Sequence, residues 1–246
     1  LDAFRSSVDS SLRKWRPEAG CWIMPLTLEG TKAILDFCKG RDAEIDEEIS
    51  FVADAAEDED PDIQLPTTMS GELYDFQKEG VLYAARKARA FIADEMGTGK
   101  TAQALAVLEA RNAYPAVIVC PAIAKNVWLQ HCKEWLPHRS VAVLSGRNSD
   151  MEEADVLITN YAVVADKVTA LREVGIIAVV ADESQYIKNK SAKRTQACMD
   201  LADGVKTRIA LTGSPLLNRP GELVAQLEFL DQMKSFGRWR SFLEQF

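Results

Sequence analysis

Two clusters of side chains, far apart in the chain, carry the residue types that phosphate chemistry needs. Asp94 to Thr101 reads D-E-M-G-T-G-K-T, and Asp182 to Gln185 reads D-E-S-Q. In the first, glycines let backbone N–H groups turn toward one point, and a helix starting at Lys-Thr adds the partial positive charge of its N-terminus there. Met96, Gly97, Thr98 and Gly99 form the expected cradle. Lys100 would reach the outer phosphates of a nucleoside triphosphate, and the Thr101 hydroxyl would hold Mg²⁺. Asp94 stands where the strict G-x-x-x-x-G-K-[ST] pattern has its first glycine, so on the motif alone a plain helix start after a turn is the competing reading. In the second cluster, Asp182 can hold Mg²⁺, and Glu183 can orient and deprotonate an attacking water. Asp-Glu after a strand is also a common turn or N-cap. Its pairing with a phosphate loop in one α/β pattern favours the catalytic reading.

The elements that must position these residues are legible from Leu65 onward. Apolar runs of strand length recur at Ala90-Ile92, Ala116-Cys120, Val141-Leu144, Val156-Thr159, Ile176-Val180 and Arg208-Leu211. Helical segments follow Lys100, run from Ala124 to Trp135 and begin near Glu222; a polar, mixed segment reaches Val174, and a Lys-rich stretch follows Val180. Continuous apolar strands imply burial on both faces, hence a mostly parallel sheet flanked by helices, which binds ligands at the carboxyl ends of its strands. Beyond those ends lie Lys125, Asn160 and Tyr161, suited to a phosphate backbone, and Thr212-Gly213-Ser214-Pro215. That last turn either links two sites by its hydroxyls or is only a turn.

The N-terminal part, residues 1–41, reads as a small α+β module. Its strands are expected over Phe4 to Val8 and Cys21 to Pro25, joined by a polar segment holding Trp15, Pro17 and Gly20. A helix is expected to carry Ala33, Ile34, Phe37 and Cys38 on one face. Trp15 and Trp22 fill a thin core or stack on nucleic acid, with Arg13, Lys14 and Arg16 beside them. Residues 42–66 read as an acidic linker, and 67–246 as the main domain. The chain carries a net charge of −8, yet Asp42 to Asp62 holds 11 of the 37 acids and no base; the remainder has 26 acids against 29 bases, a net of +3. The body is therefore mildly basic and compatible with a nucleic-acid partner. No apolar run approaches a membrane span. Five scattered cysteines without a C-x-x-C pair and two histidines point to reduced thiols in an intracellular protein, cytoplasmic, nuclear or in a host cell if viral, and away from zinc.

As a set, D-E-M-G-T-G-K-T, A-D-E-S-Q, L-T-G-S-P, L-Y-D-F-Q-K-E-G-V, V-C-P-A-I-A-K-N-V-W and I-T-N-Y resemble the first RecA-like motor lobe of superfamily 2 helicase-like ATPases of the Swi/Snf branch, nearest the annealing helicases. That family also has Asp at the Asp94 position, and its annealing subgroup carries a HARP-type module that the Trp15/Trp22 unit resembles. The resemblance implies a DNA-dependent ATP hydrolase using ATP and Mg²⁺ on double-stranded or branched DNA. It implies that Gln77 reads adenine, that Lys100, Asp182, Glu183 and Gln185 carry catalysis, and that Thr101 and Asp182 hold the metal. Gln185, Thr212 and Ser214 would couple hydrolysis to DNA, with Lys125, Asn160 and Tyr161 along the tracked strand. Gln185 and Ser214 depart from the family's usual His and Thr, which implies altered coupling. It also implies a second RecA-like lobe supplying a catalytic arginine, for which the stretch after Leu230 is too short; Asp231 to Phe246 reads as a helical exit with Trp239 and Phe242 packing. Such a half motor is expected to bind ATP weakly and turn over slowly. A phosphate-loop ATPase acting on protein, or a nucleotide-binding regulatory module with an idle Glu183, are the competing functions.

Overall fold

The computed structural model describes residues 8–12, 14–16, 21–23, 33–34, 36–38, 62–146, 153–214 and 221–233. The chain divides into two compact units, Leu1–Glu59 and Asp60–Phe246. In the first, β1 (Lys14–Arg16) pairs antiparallel with β2 (Cys21–Ile23), with Trp15 opposite Trp22. The strand expected over Phe4 to Val8 lies outside the described residues except for Val8, which sits in a bend; Trp15, expected in the polar connection, is within a strand. Lys14-Trp15-Arg16 is itself a period-2 pattern, polar, apolar, polar. Residues 33–34 and 36–38 are helical, with Ala33, Ile34, Phe37 and Cys38 half-buried and Asp36 exposed. Residues 42–61, Pro215, Trp239 and Phe242 lie outside the described residues.

The second unit is built on a six-stranded sheet in the order β3-β8-β7-β4-β6-β5, with every neighbouring pair parallel. Its strands are β3 (Arg89–Ile92), β4 (Ala116–Cys120), β5 (Val141–Val143), β6 (Val156–Asn160), β7 (Ala178–Asp182) and β8 (Thr207–Leu211). Successive residues of the central strands feed opposite cores, since side chains alternate across a sheet. Ile118, Val156, Val180 and Ile209 pack under α1 (Asp75–Lys87), α2 (Lys100–Ala110) and α3 (Lys125–Trp135). Val117, Leu157, Val179 and Ala210 pack under α4 (Tyr161–Glu173), α5 (Lys193–Ala202) and the end of α6 (Gly221–Phe229). Ile63, at the end of the stretch read as linker, belongs to the first of these cores. No helix among the described residues is long and apolar enough to cross a membrane.

Two elements differ from expectation. The segment from Asn160 to Val174 is the helix α4, started by the Asn160 side chain, which accepts from Ala162 N (3.0 Å) and Val163 N (3.1 Å). Strand β7 begins two residues after Ile176 and runs through Asp182, whose partner is Leu211 on β8.

Glu109, in the last turn of α2, ties this helix to three later or earlier segments. Its carboxylate, 5% exposed, accepts from Thr68 Oγ1 (2.6 Å), Tyr114 OH (2.8 Å) and Arg139 Nε (3.0 Å), with His138 Nε2 at 3.1 Å. Burial pushes the carboxyl up, but Arg139, Thr68, Tyr114 and His138 together outweigh it and bring it from 4.5 to about 2. A lowered folded-state value means stabilisation that is complete above about pH 4.5 and lost as pH falls toward about 2. Glu109→Gln is therefore expected to lose about 2 kcal/mol in urea unfolding at pH 7. The difference from the unchanged chain should shrink as pH drops through that window; a pH-independent difference would remove the charge from the explanation.

Candidate nucleotide site

The phosphate-loop candidate joins β3 to α2, so it leaves the carboxyl end of an edge strand and ends on a helix N-terminus. Gly99, the residue before α2, has φ +79°, and a Cβ there would meet Gln77 Nε2 at 2.5 Å. The positive φ favours glycine there, and any side chain would also have to displace the Gln77 amide. Gln77 is buried against the loop, its Nε2 donating to Thr98 O (2.8 Å) while its Oε1 accepts from Tyr74 N (2.9 Å) at the start of α1. Asp94, odd for a strict phosphate loop, has a local reason: its Oδ2 accepts from Nε2 of Gln103 (2.7 Å), a fully buried residue one turn into α2. Lys100 Nζ donates to the carbonyls of Asp94 (2.8 Å) and Glu95 (2.7 Å), and Thr98 Oγ1 donates to Glu95 O (2.8 Å). The loop is thus closed on itself by its own lysine.

Asp182 ends β7, two strands from β3 in the sheet. Its Oδ2 accepts from Trp128 Nε1 (2.8 Å) and its Oδ1 from Glu183 N (3.0 Å). Burial raises the carboxyl above its ordinary range, opposed by the Trp128 hydrogen bond and by the nearby Lys100 charge. Glu183 adopts φ 50°, ψ 56°, a left-handed conformation that costs a non-glycine residue of order 1 kcal/mol. Its Oε2 accepts from Gln185 Nε2 (2.7 Å), Gln185 Oε1 accepts from Thr212 Oγ1 (2.8 Å), and Thr212 Oγ1 accepts from Ser214 N (3.0 Å). Gly213 lies against the phosphate loop: a Cβ on it would come within 2.9 Å of Met96 Cγ and 3.7 Å of Lys100 Nζ.

One cavity of about 780 Å³ is lined by Gln77, the loop from Met96 to Thr101, Asp182 and Glu183. Lys100 and Asp182, distant in sequence, therefore face one space. Glu72, Tyr74, Phe76, His131 and Trp135 line it too and escaped the sequence reading. The signal for the last two was there: 128, 131 and 135 share one face of α3.

The residues assigned to nucleic acid divide differently. Asn160 and Tyr161 line a second cavity of about 670 Å³ with Pro121, Tyr186, Lys193 and Arg194. Asn160 is spent as a helix cap. Tyr161 is only 4% exposed; its hydroxyl donates to Asp182 O (2.6 Å) and its ring stacks on Tyr186 at 5.2 Å. A side chain so buried offers an extended polymer little surface, so Tyr161 mainly holds the end of β7. Lys125 Nζ donates to Leu144 O (3.3 Å) and lines neither cavity. Thr212 is fully buried and Ser214 half-buried in the turn beside the loop.

The family model described as "SNF2-related domain" matches residues 76–246. The human protein "DNA annealing helicase and endonuclease ZRANB3" is 33% identical over 193 residues, 74% of this chain and 18% of that protein. The Drosophila melanogaster "SWI/SNF-related matrix-associated actin-dependent regulator of chromatin subfamily A-like protein 1" is 35% identical over 181 residues, 72% of this chain and 23% of that protein. Among solved structures, the "Sulfolobus solfataricus SWI2/SNF2 ATPase core in complex with dsDNA" is similar with a TM-score of 0.66 at 29% identity, covering 75% of this chain and 41% of that one. The chain thus spans about a fifth of the length of these curated relatives.

Proposed function

The chain belongs to the SNF2-related family and has its RecA-like fold, and on that premise we propose that residues 67–246 are the ATP-binding first lobe of a Swi/Snf-type DNA translocase or annealing helicase. The observation that carries this reading is the shared cavity in which Lys100 and Thr101 face Asp182 and Glu183. Residues 1–41 are an accessory module and 42–66 a linker in this reading, and a second RecA-like lobe completes the site.

The residues suit a magnesium nucleotide. The loop carries glycines at positive φ and a lysine whose ammonium donates to two main-chain carbonyls, and across the cavity Asp182 presents a half-buried carboxylate with one donor on each oxygen. Gln77 borders the base end, and the loop N–H groups with Lys100 hold the phosphates. Thr101 and Asp182 would hold Mg²⁺, which supplies charge neutralisation between the outer phosphates. Glu183 would take a proton from the attacking water as its oxygen bonds to the γ-phosphorus and the bond to the ADP oxygen breaks, and would then pass that proton to the released phosphate or to solvent. The hydrogen-bonded line Glu183–Gln185–Thr212–Ser214 then gives a physical path from that base to the turn at the end of β8.

Duplex or branched DNA is the polymer of this reading. It is supported by the net charge of +3 outside the acidic run and by Lys193, Arg194 and Tyr186 around the second cavity. Binding of a fluorescent duplex by this chain, measured from 50 to 300 mM salt, tests it. Affinity is expected to fall linearly with log salt concentration, as counterion release demands. Salt-indifferent binding, or none, would favour an ATPase acting on protein, and rapid DNA-stimulated hydrolysis by this polypeptide alone would contradict the need for a second lobe.

A further inference from the structure

We propose that Trp128 is a positioning residue for the metal-binding carboxylate: its buried indole N–H locks the orientation of Asp182 so that the remaining lone pairs of that carboxylate meet a divalent cation. The inference rests on the nucleotide-site reading above and assigns α3 a part in it. Trp128 is 1% exposed, and its Nε1 lies 2.8 Å from Asp182 Oδ2. Glu183 N holds Oδ1 at 3.0 Å, and Tyr161 OH holds the main-chain oxygen of the same residue at 2.6 Å. A carboxylate has about four lone-pair sites, so one donor per oxygen leaves about two for a cation and its water. With each oxygen held by a different element, the carboxylate cannot rotate without breaking both bonds.

The donor also has the right character. An indole N–H donates only, so it cannot swap roles and compete as a metal ligand, and a buried one needs a partner. The contact is built by topology rather than by sequence neighbourhood. Helix α3 follows β4, and β4 pairs with β7, so the helix lies beside the strand end that carries Asp182. His131 and Trp135, on the same face of α3, line the same cavity. Partners of this outer kind set the orientation of a ligand and typically change metal affinity by about 10-fold to 100-fold when removed.

Trp128→Phe keeps an aromatic ring and removes the donor. Binding of a fluorescent ATP analogue to the 246-residue chain is measured without divalent cation and across a Mg²⁺ titration, with Mn²⁺ binding followed by electron paramagnetic resonance. Cation-free nucleotide affinity is expected to stay within about 2-fold, while the Mg²⁺ and Mn²⁺ concentrations for half-saturation rise about 10-fold. Unchanged metal dependence overturns the proposal. So does a further loss of metal affinity when Trp128→Phe is added to Asp182→Ala, because a residue acting through Asp182 has nothing left to act on. If Trp128→Phe does not fold, the indole N–H signals of the unchanged chain and of Asp182→Ala decide: one solvent-protected signal is expected to shift, and none shifting overturns the contact. Failure of the unchanged chain to bind nucleotide under any condition would instead overturn the nucleotide-site reading, leaving the indole comparison to judge Trp128 separately.

Discussion

Replacing Lys100 by alanine is expected to weaken Mg²⁺-ATP binding by about 100-fold, the loss of roughly 3 kcal/mol of charge-assisted contact with phosphate. Calorimetric titration of the chain and of Lys100→Ala measures it. The structure makes the size of the effect a difference between two sets of bonds. In the free loop the ammonium already donates to the carbonyls of Asp94 and Glu95 at 2.8 and 2.7 Å. A nucleotide must draw it from those carbonyls, so its gain is phosphate contact minus carbonyl contact. The same two bonds close the loop, and their removal should cost the free chain about 1 to 2 kcal/mol. The two roles separate by measurement: a ligand role predicts that the nucleotide-induced rise in unfolding temperature vanishes while the free chain still folds cooperatively. A variant that binds Mg²⁺-ATP as well as the unchanged chain would reassign Lys100 to loop closure alone.

Much of this site was visible in the sequence because its parts sit where parallel strands end. Ala116-Cys120 and Ile209-Leu211 are apolar without alternation, and each is buried on both faces in the sheet. What was not visible needed the path of the chain. Asp94 is unexplained until the loop folds back on α2 and meets Gln103, a contact that no local spacing announces. The hydrogen bond from Trp128 to Asp182 depends on β4 and β7 being neighbours, although β5 and β6 separate them in the chain. Helix α4 read as polar and mixed because its inner stripe of Val163, Val164, Lys167 and Leu171 contains a lysine, which is nonetheless buried. The resemblance puts Tyr161 along the tracked strand, whereas its hydroxyl points inward to the main chain of Asp182.

Glu183→Gln, assayed with a second lobe on the same chain, is expected to lower ATP turnover by about 10³-fold while leaving Mg²⁺-ATP affinity within about 2-fold. The substitution keeps shape and hydrogen bonding and removes only the ability to accept a proton. Gln185 Nε2 now donates to Glu183 Oε2 at 2.7 Å, and the new amide oxygen can still accept that bond, so the line to Thr212 survives. The left-handed backbone at residue 183 is equally open to either side chain, so the fold has no reason to change. Thr212→Val is the complementary change. It removes the hydroxyl that donates to Gln185 Oε1 at 2.8 Å and accepts from Ser214 N at 3.0 Å, yet leaves the carboxylate of Glu183 in place. Phosphate release with and without duplex DNA therefore separates chemistry from coupling: Glu183→Gln should lose both rates, and Thr212→Val should lose mainly the increment that DNA adds. Undiminished turnover in Glu183→Gln would make the Asp-Glu pair a turn at the end of β7 and the lobe a regulator rather than an engine.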